Sequence, residues 1–384
     1  MKLAYVMSSF DASHVSFKNG IGDFITSYLK KNEIEIELIE GYYEPLSLFF
    51  KGKQWIYENI ANKKYIRPRE TYIIKKSCKR TSEFISNSDC DAVFSFGSIP
   101  ISYIKTQKPI IFWTDATFDL LLDYYNEYTN LSSETIRKAK EIESNALNNA
   151  NLIIFSSEWA KQSAIKQYGI NPNKIEVVPF GALLLETPST EEIEQIFESR
   201  TIKTCKLLFI GKRWNDKGGE NLMSIAHFLK KNNFDFEINV VGTIPPSEYS
   251  KEFNINVYPR LNKQDPNDYQ KLKQLYESSH FFVLMSNSDC TPHVLNEANS
   301  FGVPCISSDT GGIPSIIKNN INGHIFSVMS SMERPARFIM DKFQNQQDYY
   351  DLALSSFMEY KNNLNWDVSI NKIIYLINRI IQKT

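Results

Sequence analysis

Ten short apolar runs, each trailed by turn residues and then a helix-like stretch, set the limits on what this chain can fold into. In the first half they fall at Lys2 to Phe10, Ile34 to Ile39, Ala92 to Phe96, Ile110 to Trp113, Leu152 to Phe155 and Ile175 to Val178. In the second half they fall at Lys206 to Ile210, Glu237 to Val241, Phe281 to Met285 and Pro304 to Ser307. Runs this short, apolar on consecutive positions and rich in Ile, Val and Phe, predict strands buried on both faces. Their alternation with helices predicts an α/β chain in which helices cover parallel sheets. At 384 residues the chain exceeds what one core usually organises, so two domains are expected.

The stretch after Gly181, LLLETPSTEEIEQIFESRTIKTC, breaks the rhythm with Pro188, Ser189 and a run of acids before a new strand starts near Lys206. It divides the chain into an N-terminal domain at 1–185, a linker at 186–203 and a C-terminal domain at 204–364. Ile370, Ile373, Ile374, Ile377 and Ile381 have helical spacing, so 365–384 is expected to be a helix that packs back on the N-terminal domain. The expected fold is two doubly wound Rossmann-like domains facing each other across a cleft. Ligands of such folds bind outside the carboxyl ends of the strands.

The formal net charge of −1 argues against general nucleic-acid binding. The N-terminal MKLAYVMSSF lacks the long apolar core of a signal peptide, and no run reaches the length of a membrane span. Cys78, Cys90, Cys205, Cys290 and Cys305 are scattered, with neither CxxC pairs nor Cys/His clusters, and the five histidines show no ligand spacing. These features predict a reduced cytoplasmic protein without metal or cofactor. Charge is uneven, however. Residues 51–80 carry ten Lys/Arg against Glu58 and Glu70, together with Trp55, Tyr57, Tyr65 and Tyr72. A basic, aromatic segment of this kind suits peripheral contact with an anionic membrane, at the inner face for a cytoplasmic protein, or with a charged acceptor; the alternative is a solvated helical face.

Two segments carry chemistry. In KLLFIGKRWNDKGGENL, Lys206 to Leu222, a strand ends at Gly211, and a loop bearing Lys212, Arg213 and Lys217 leads through Gly218 and Gly219 into a helix. Free backbone N–H groups and the dipole at such a helix start favour an anion. Arginine can fork two phosphate oxygens while lysine acts as a point charge, which together suit a diphosphate. The second segment, SNSDCTPHVLNEANSFGVPCISSDTGGIPS, follows the strand FFVLM. Asp289 falls in a loop and Glu297 on a buried helix that starts near Pro292, so both can face a ligand lodged at that start. The tight turn Asp309-Thr310-Gly311-Gly312 lets backbone come close to a neighbour.

Asp289 to Ala298 with the following GVPCISSDTGGIP resembles the signature of the retaining glycosyltransferases often called family four, or glycosyl transferases group 1, which have the GT-B fold. FIGKRWNDKGGENL is similar to the same family's strand-loop-lysine-glycine segment, and IIFSSEWAKQ and KIEVVPFGAL look like the strands closing its N-terminal domain. The resemblance implies a metal-independent hexosyltransferase of glycan biosynthesis that moves a sugar from a nucleotide-diphosphate donor to a glycan, lipid or small-molecule acceptor. It implies catalytic roles for Lys217, Arg213 and Asp289, with Lys217 and a neighbouring cation on the diphosphate and Asp289 facing the donor sugar. It also implies donor contacts from Gly211, Lys212, Thr291, Pro292, His293 and Val294, ribose contacts from Glu297, and a loop Lys18-Asn19-Gly20-Ile21-Gly22 that closes over the phosphates and acceptor, where Gly20 and Gly22 bind.

Three positions depart from that pattern. Asp289 replaces the usual glutamate; Lys212 stands in the arginine slot with Arg213 next, leaving open which reaches phosphate; and Phe112 to Thr117 has no histidine. Asp115, at the end of a strand, is the substitute catalytic candidate for contacting the acceptor or sugar, with capping of the following helix as its alternative. The competing functions are a non-catalytic sugar-nucleotide or glycan-binding protein and a sugar-nucleotide epimerase on the same fold.

Overall fold

The computed structural model describes residues 1–7, 20–41, 47–200 and 202–383. They form two compact units, Met1–Pro179 with Trp366–Thr384, and Phe180–Asn365.

The first unit is built on β1 (Lys2–Met7), β2 (Glu35–Glu40), β3 (Ala92–Phe96), β4 (Ile110–Thr114), β5 (Leu152–Phe155) and β6 (Ile175–Val177). All are parallel, in the order β2-β1-β3-β4-β5-β6. Every residue of β4 and β5 is buried, as consecutive apolar positions require when helices cover both faces. The chain end completes this core. Trp366, at the start of the helix Trp366–Ile381, stacks on Phe24 at 5.6 Å and meets Trp113 edge-on at 5.9 Å, while Ile370, Ile373 and Ile377 are buried.

The second unit holds β7 (Cys205–Ile210), β8 (Phe236–Val241), β9 (Ile255–Tyr258), β10 (Phe281–Leu284), β11 (Cys305–Ser308) and β12 (Gly323–Phe326). Its parallel order is β12-β11-β10-β7-β8-β9. From β7 the sheet grows one way and from β10 the other, so the seam between them is the switch point at which such sheets bind ligands. The apolar-run pattern does not contain β9 and β12. Both lie toward the sheet's edges, and Asn256 and His324 interrupt INVY and GHIF, so neither is a continuous apolar run.

Residues 186–203, expected as a linker, contain the helix Thr190–Ser199. Ser189 and Glu192 form a reciprocal capping box, so Pro188 and Ser189 mark a helix start. Arg200 then donates to the carbonyls of Phe301 (2.6 Å), Gly302 (2.9 Å) and Glu277 (3.0 Å), which fastens the stretch to the second unit. His280 sits buried just before β10, where its Nδ1 accepts the Lys206 N–H at 2.9 Å.

Candidate active site

At the switch point of the second sheet, the chain leaves β7 through Gly211 and winds into the helix Gly219–Lys231. Gly218 has φ +77°, and a Cβ there would lie 1.9 Å from the Met285 carbonyl oxygen, so the loop presses against the end of β10 only because this residue has no side chain. A Cβ on Gly211 would meet Lys217 Cγ at 2.9 Å; the lysine stem therefore runs across the end of β7. Asn287 fastens this loop to the one after β10, its N–H donating to Asp216 O at 2.9 Å and its Nδ2 to Asn215 O at 3.0 Å.

Lys217 Nζ forms an ion pair with Asp289 Oδ2. Burial pushes the Asp289 carboxyl above its ordinary value, against the pull of Lys217 and Arg213. Arg213 itself is turned to Asp216, with Nε 2.8 Å from Oδ2. The Asp289 carbonyl accepts the Gly312 N–H at 3.3 Å, so the double-glycine turn braces the acid's backbone.

The helix His293–Ser300 starts at Pro292 without a side-chain cap; the Leu295 N–H is taken by Pro292 O at 3.1 Å, so the amides of His293 and Val294 are the ones a ligand at this helix start would meet. Glu297 lies one turn in and is buried. Its Oε1 accepts from Lys263 Nζ at 2.5 Å and its Oε2 from the Tyr276 hydroxyl at 2.9 Å. His293 Nδ1 lies 3.1 Å from Gly181 O. A carbonyl only accepts, so Nδ1 carries the proton and a neutral ring keeps Nε2 as an acceptor. Burial lowers the His293 pKa below its ordinary value, which favours that neutral form.

These elements and the loop after β9 line a cavity of 870 Å³. Among the residues that sequence reasoning singled out, Gly211, Lys212, Lys217 and Asp289 line it. So do Thr291, Pro292, His293, Val294 and Glu297. Arg213 is not among the lining residues. Gly20, Gly22 and Asp115 belong to the first unit. Gly20 precedes the helix Ile21–Lys31 in extended backbone and Gly22 is buried in its first turn; Lys18 and Asn19 lie outside the described residues. Asp115 follows β4, and the N-cap position of the short helix Phe118–Leu121 is held by Thr117 and not by Asp115.

Sequence reasoning missed Arg260, Lys263, Gly242 and Tyr276. Arg260 and Lys263 sit in the loop after β9, and PRLNKQD carries their charges in full view. The signal was lost because β9 itself went unseen. Among the described residues, no cluster of His, Cys, Asp and Glu is suited to hold a metal ion, and no helix is long and apolar enough to cross a membrane.

Residues 192–352 match the family described as "Glycosyl transferases group 1". Over 177 residues the chain is 26% identical to UDP-Gal:alpha-D-GlcNAc-diphosphoundecaprenol alpha-1,3-galactosyltransferase of Escherichia coli, covering 44% of this chain and 45% of that protein. The chain thus spans about half the length of the curated relatives it matches. Among solved structures, a sucrose-phosphate synthase from Thermosynechococcus elongatus superposes with a TM-score of 0.68 at 12% identity, over 100% of both chains. Anabaena HepE in complex with UDP gives 0.63 at 14% identity, over 99% of this chain and 100% of that one. At such identities the structures establish the fold, a two-domain α/β architecture of the GT-B class.

Proposed function

We propose that this chain, whose residues 192–352 match the glycosyl transferases group 1 family, is a retaining, metal-independent glycosyltransferase that takes its sugar from a nucleotide-diphosphate donor. The observation that carries this reading is the Lys217–Asp289 pair beside an uncapped helix start at one switch-point cavity. A cation, free amides and two buried acids suit a diphosphate on one side and sugar hydroxyls on the other. HepE, of the same fold, is described in complex with UDP-glucose, which supports the donor class.

In the proposed arrangement the diphosphate lies over the first turn of His293–Ser300, held by Lys217 and Lys212. Arg213 is occupied with Asp216 and plays the lesser part. Glu297, held by Lys263 and Tyr276, accepts from the ribose hydroxyls. Asp289 and the neutral His293 Nε2 accept from the donor sugar. As the bond from the anomeric carbon to phosphate oxygen breaks, Lys217 stabilises the charge growing on the diphosphate. The acceptor oxygen bonds to the same carbon on the departing face, and its proton passes to a diphosphate oxygen, so configuration is retained without a protein nucleophile. Gly20, Gly22 and Asp115 keep the roles that the resemblance implies, the two glycines toward phosphates and acceptor and Asp115 toward acceptor or sugar. The Escherichia coli relative is named for a diphosphoundecaprenol acceptor, so a lipid-linked acceptor is the class to try first, in a cytoplasmic enzyme working at a membrane.

Incubation with a panel of nucleotide sugars tests the reading. An α-linked donor should give free nucleoside diphosphate and an α-linked product, at a rate unchanged by EDTA. A β-linked product, loss of activity to EDTA restored by magnesium, or an epimerised donor without release would each overturn it.

A further inference from the structure

The helix Ser47–Asn59 in the first unit presents its apolar side chains outward. Its docked side is Phe50, Lys53 and Tyr57, which fall within an arc of about 60° at 100° per residue. Phe50 is buried; Lys53 Nζ lies 2.5 Å from Glu134 Oε1, and the Tyr57 hydroxyl donates to Glu134 Oε2 at 2.8 Å. Around the rest of the helix, within a sector of about 120°, Leu48 is 77% exposed, Phe49 66%, Trp55 59% and Ile56 51%, and Ile60, in the turn beyond, is 71% exposed. Five large apolar side chains on one short face are a patch of the kind that marks an interaction surface.

We propose that this face docks on an anionic lipid bilayer, lying in the interface plane with Leu48, Phe49, Trp55, Ile56 and Ile60 inserted at headgroup depth. Charge supports a bilayer as the occupant. Residues 47–64 contain Lys51, Lys53, Lys63 and Lys64 against Glu58 alone, on a chain whose net charge is −1. A tryptophan among bulky aliphatic residues, flanked by lysines, suits the boundary between headgroup and acyl chain. Insertion, however, is the main driving force, because much of the basic segment is engaged within the protein. Besides Lys53, Lys63 donates to Asn130 Oδ1 at 2.7 Å, Lys75 pairs with Glu141 at 3.4 Å, and Arg69 is buried over the Phe118 ring. Such docking is independent of the transfer reaction.

The test is sedimentation of the full chain with vesicles of phosphatidylcholine, with and without phosphatidylglycerol. The protein should pellet with the anionic vesicles and remain largely bound at about 0.5 M salt, where exposed charges are screened to a few ångströms. Trp55→Ser with Ile56→Ser should lower the partition coefficient by about tenfold or more while leaving melting and nucleotide binding unchanged, since both side chains are exposed. Equal pelleting of variant and parent overturns the proposal, as does complete release by salt. A parent that fails to pellet but sediments as a dimer, with a monomeric variant, overturns it in favour of a second copy of this chain.

Discussion

Lys217 illustrates how a side chain acquires its role from its surroundings. Taken from sequence it is a loop lysine between Asp216 and Gly218; in the structure its side chain is only 21% exposed, crosses Gly211 and pairs with an acid 72 positions away. Charge that appears on a leaving diphosphate strengthens this cation's contribution in the transition state over that in the bound donor. Lys217→Ala should therefore lower kcat by on the order of a hundredfold, with a smaller loss of donor affinity. Because buried Asp289 loses the Lys217 cation, stability should also fall, by about 1–3 kcal/mol, and the carboxyl pKa should rise further. Single-turnover rates and urea unfolding measure the two effects separately. A parental transfer rate in the variant would falsify the phosphate assignment.

Glycines show at the scale of elements which backbone contacts cannot be altered. The loop between β7 and the helix Gly219–Lys231 reaches the end of β10 through Gly218, in left-handed backbone against the Met285 carbonyl. Gly218→Ala should cost about 2–3 kcal/mol, since neither strain nor clash can be relieved without moving the loop. Activity should fall with it, because the same movement displaces Lys217. Gly52, inside the helix Ser47–Asn59 with nothing within 4 Å of where a methyl group would sit, is the matched control: Gly52→Ala should be neutral or stabilising by up to about 1 kcal/mol. Equal urea midpoints for the two variants would show that the approach to Met285 is not needed.

The two units of the molecule differ in how their chain is assembled. The second is continuous from Phe180 to Asn365, whereas the first needs the last nineteen residues, Trp366–Thr384, to complete it. Trp366 fills a gap between Phe24 and Trp113, and Ser369 Oγ donates to Pro179 O at 2.7 Å where the first unit ends. Ending the chain at Asn365 should thus expose apolar surface in the first unit while the second keeps its own core. Limited proteolysis should then degrade residues 1–179 and leave a resistant fragment near 180–365. Uniform resistance equal to that of the full chain would show that the terminal helix contributes no stability.

Much of this was legible beforehand, for reasons that can be named. Buried parallel strands need consecutive apolar residues, so β1, β3, β4, β5, β7 and β10 announce themselves, and with them both doubly wound sheets. An anion site built from backbone needs glycines and a helix start in a fixed local order, so Gly211, Lys217, Gly218 and the helix start near Pro292 stand out from local pattern, whereas the roles given to Thr291 to Glu297 came from the family resemblance. The strands β9 and β12 could not be picked out, because Asn256 and His324 interrupt INVY and GHIF and leave apolar pieces too short to stand out. With β9 went the loop that carries Lys263 to Glu297 across 34 positions. Pairings such as Lys217 with Asp289 depend on where separate loops end after folding, and no local pattern encodes them. The outward apolar face of Ser47–Asn59 was hidden in a similar way: an amphipathic period reveals that a helix has two sides, but only the docking of Phe50 and Tyr57 decides which side the protein covers.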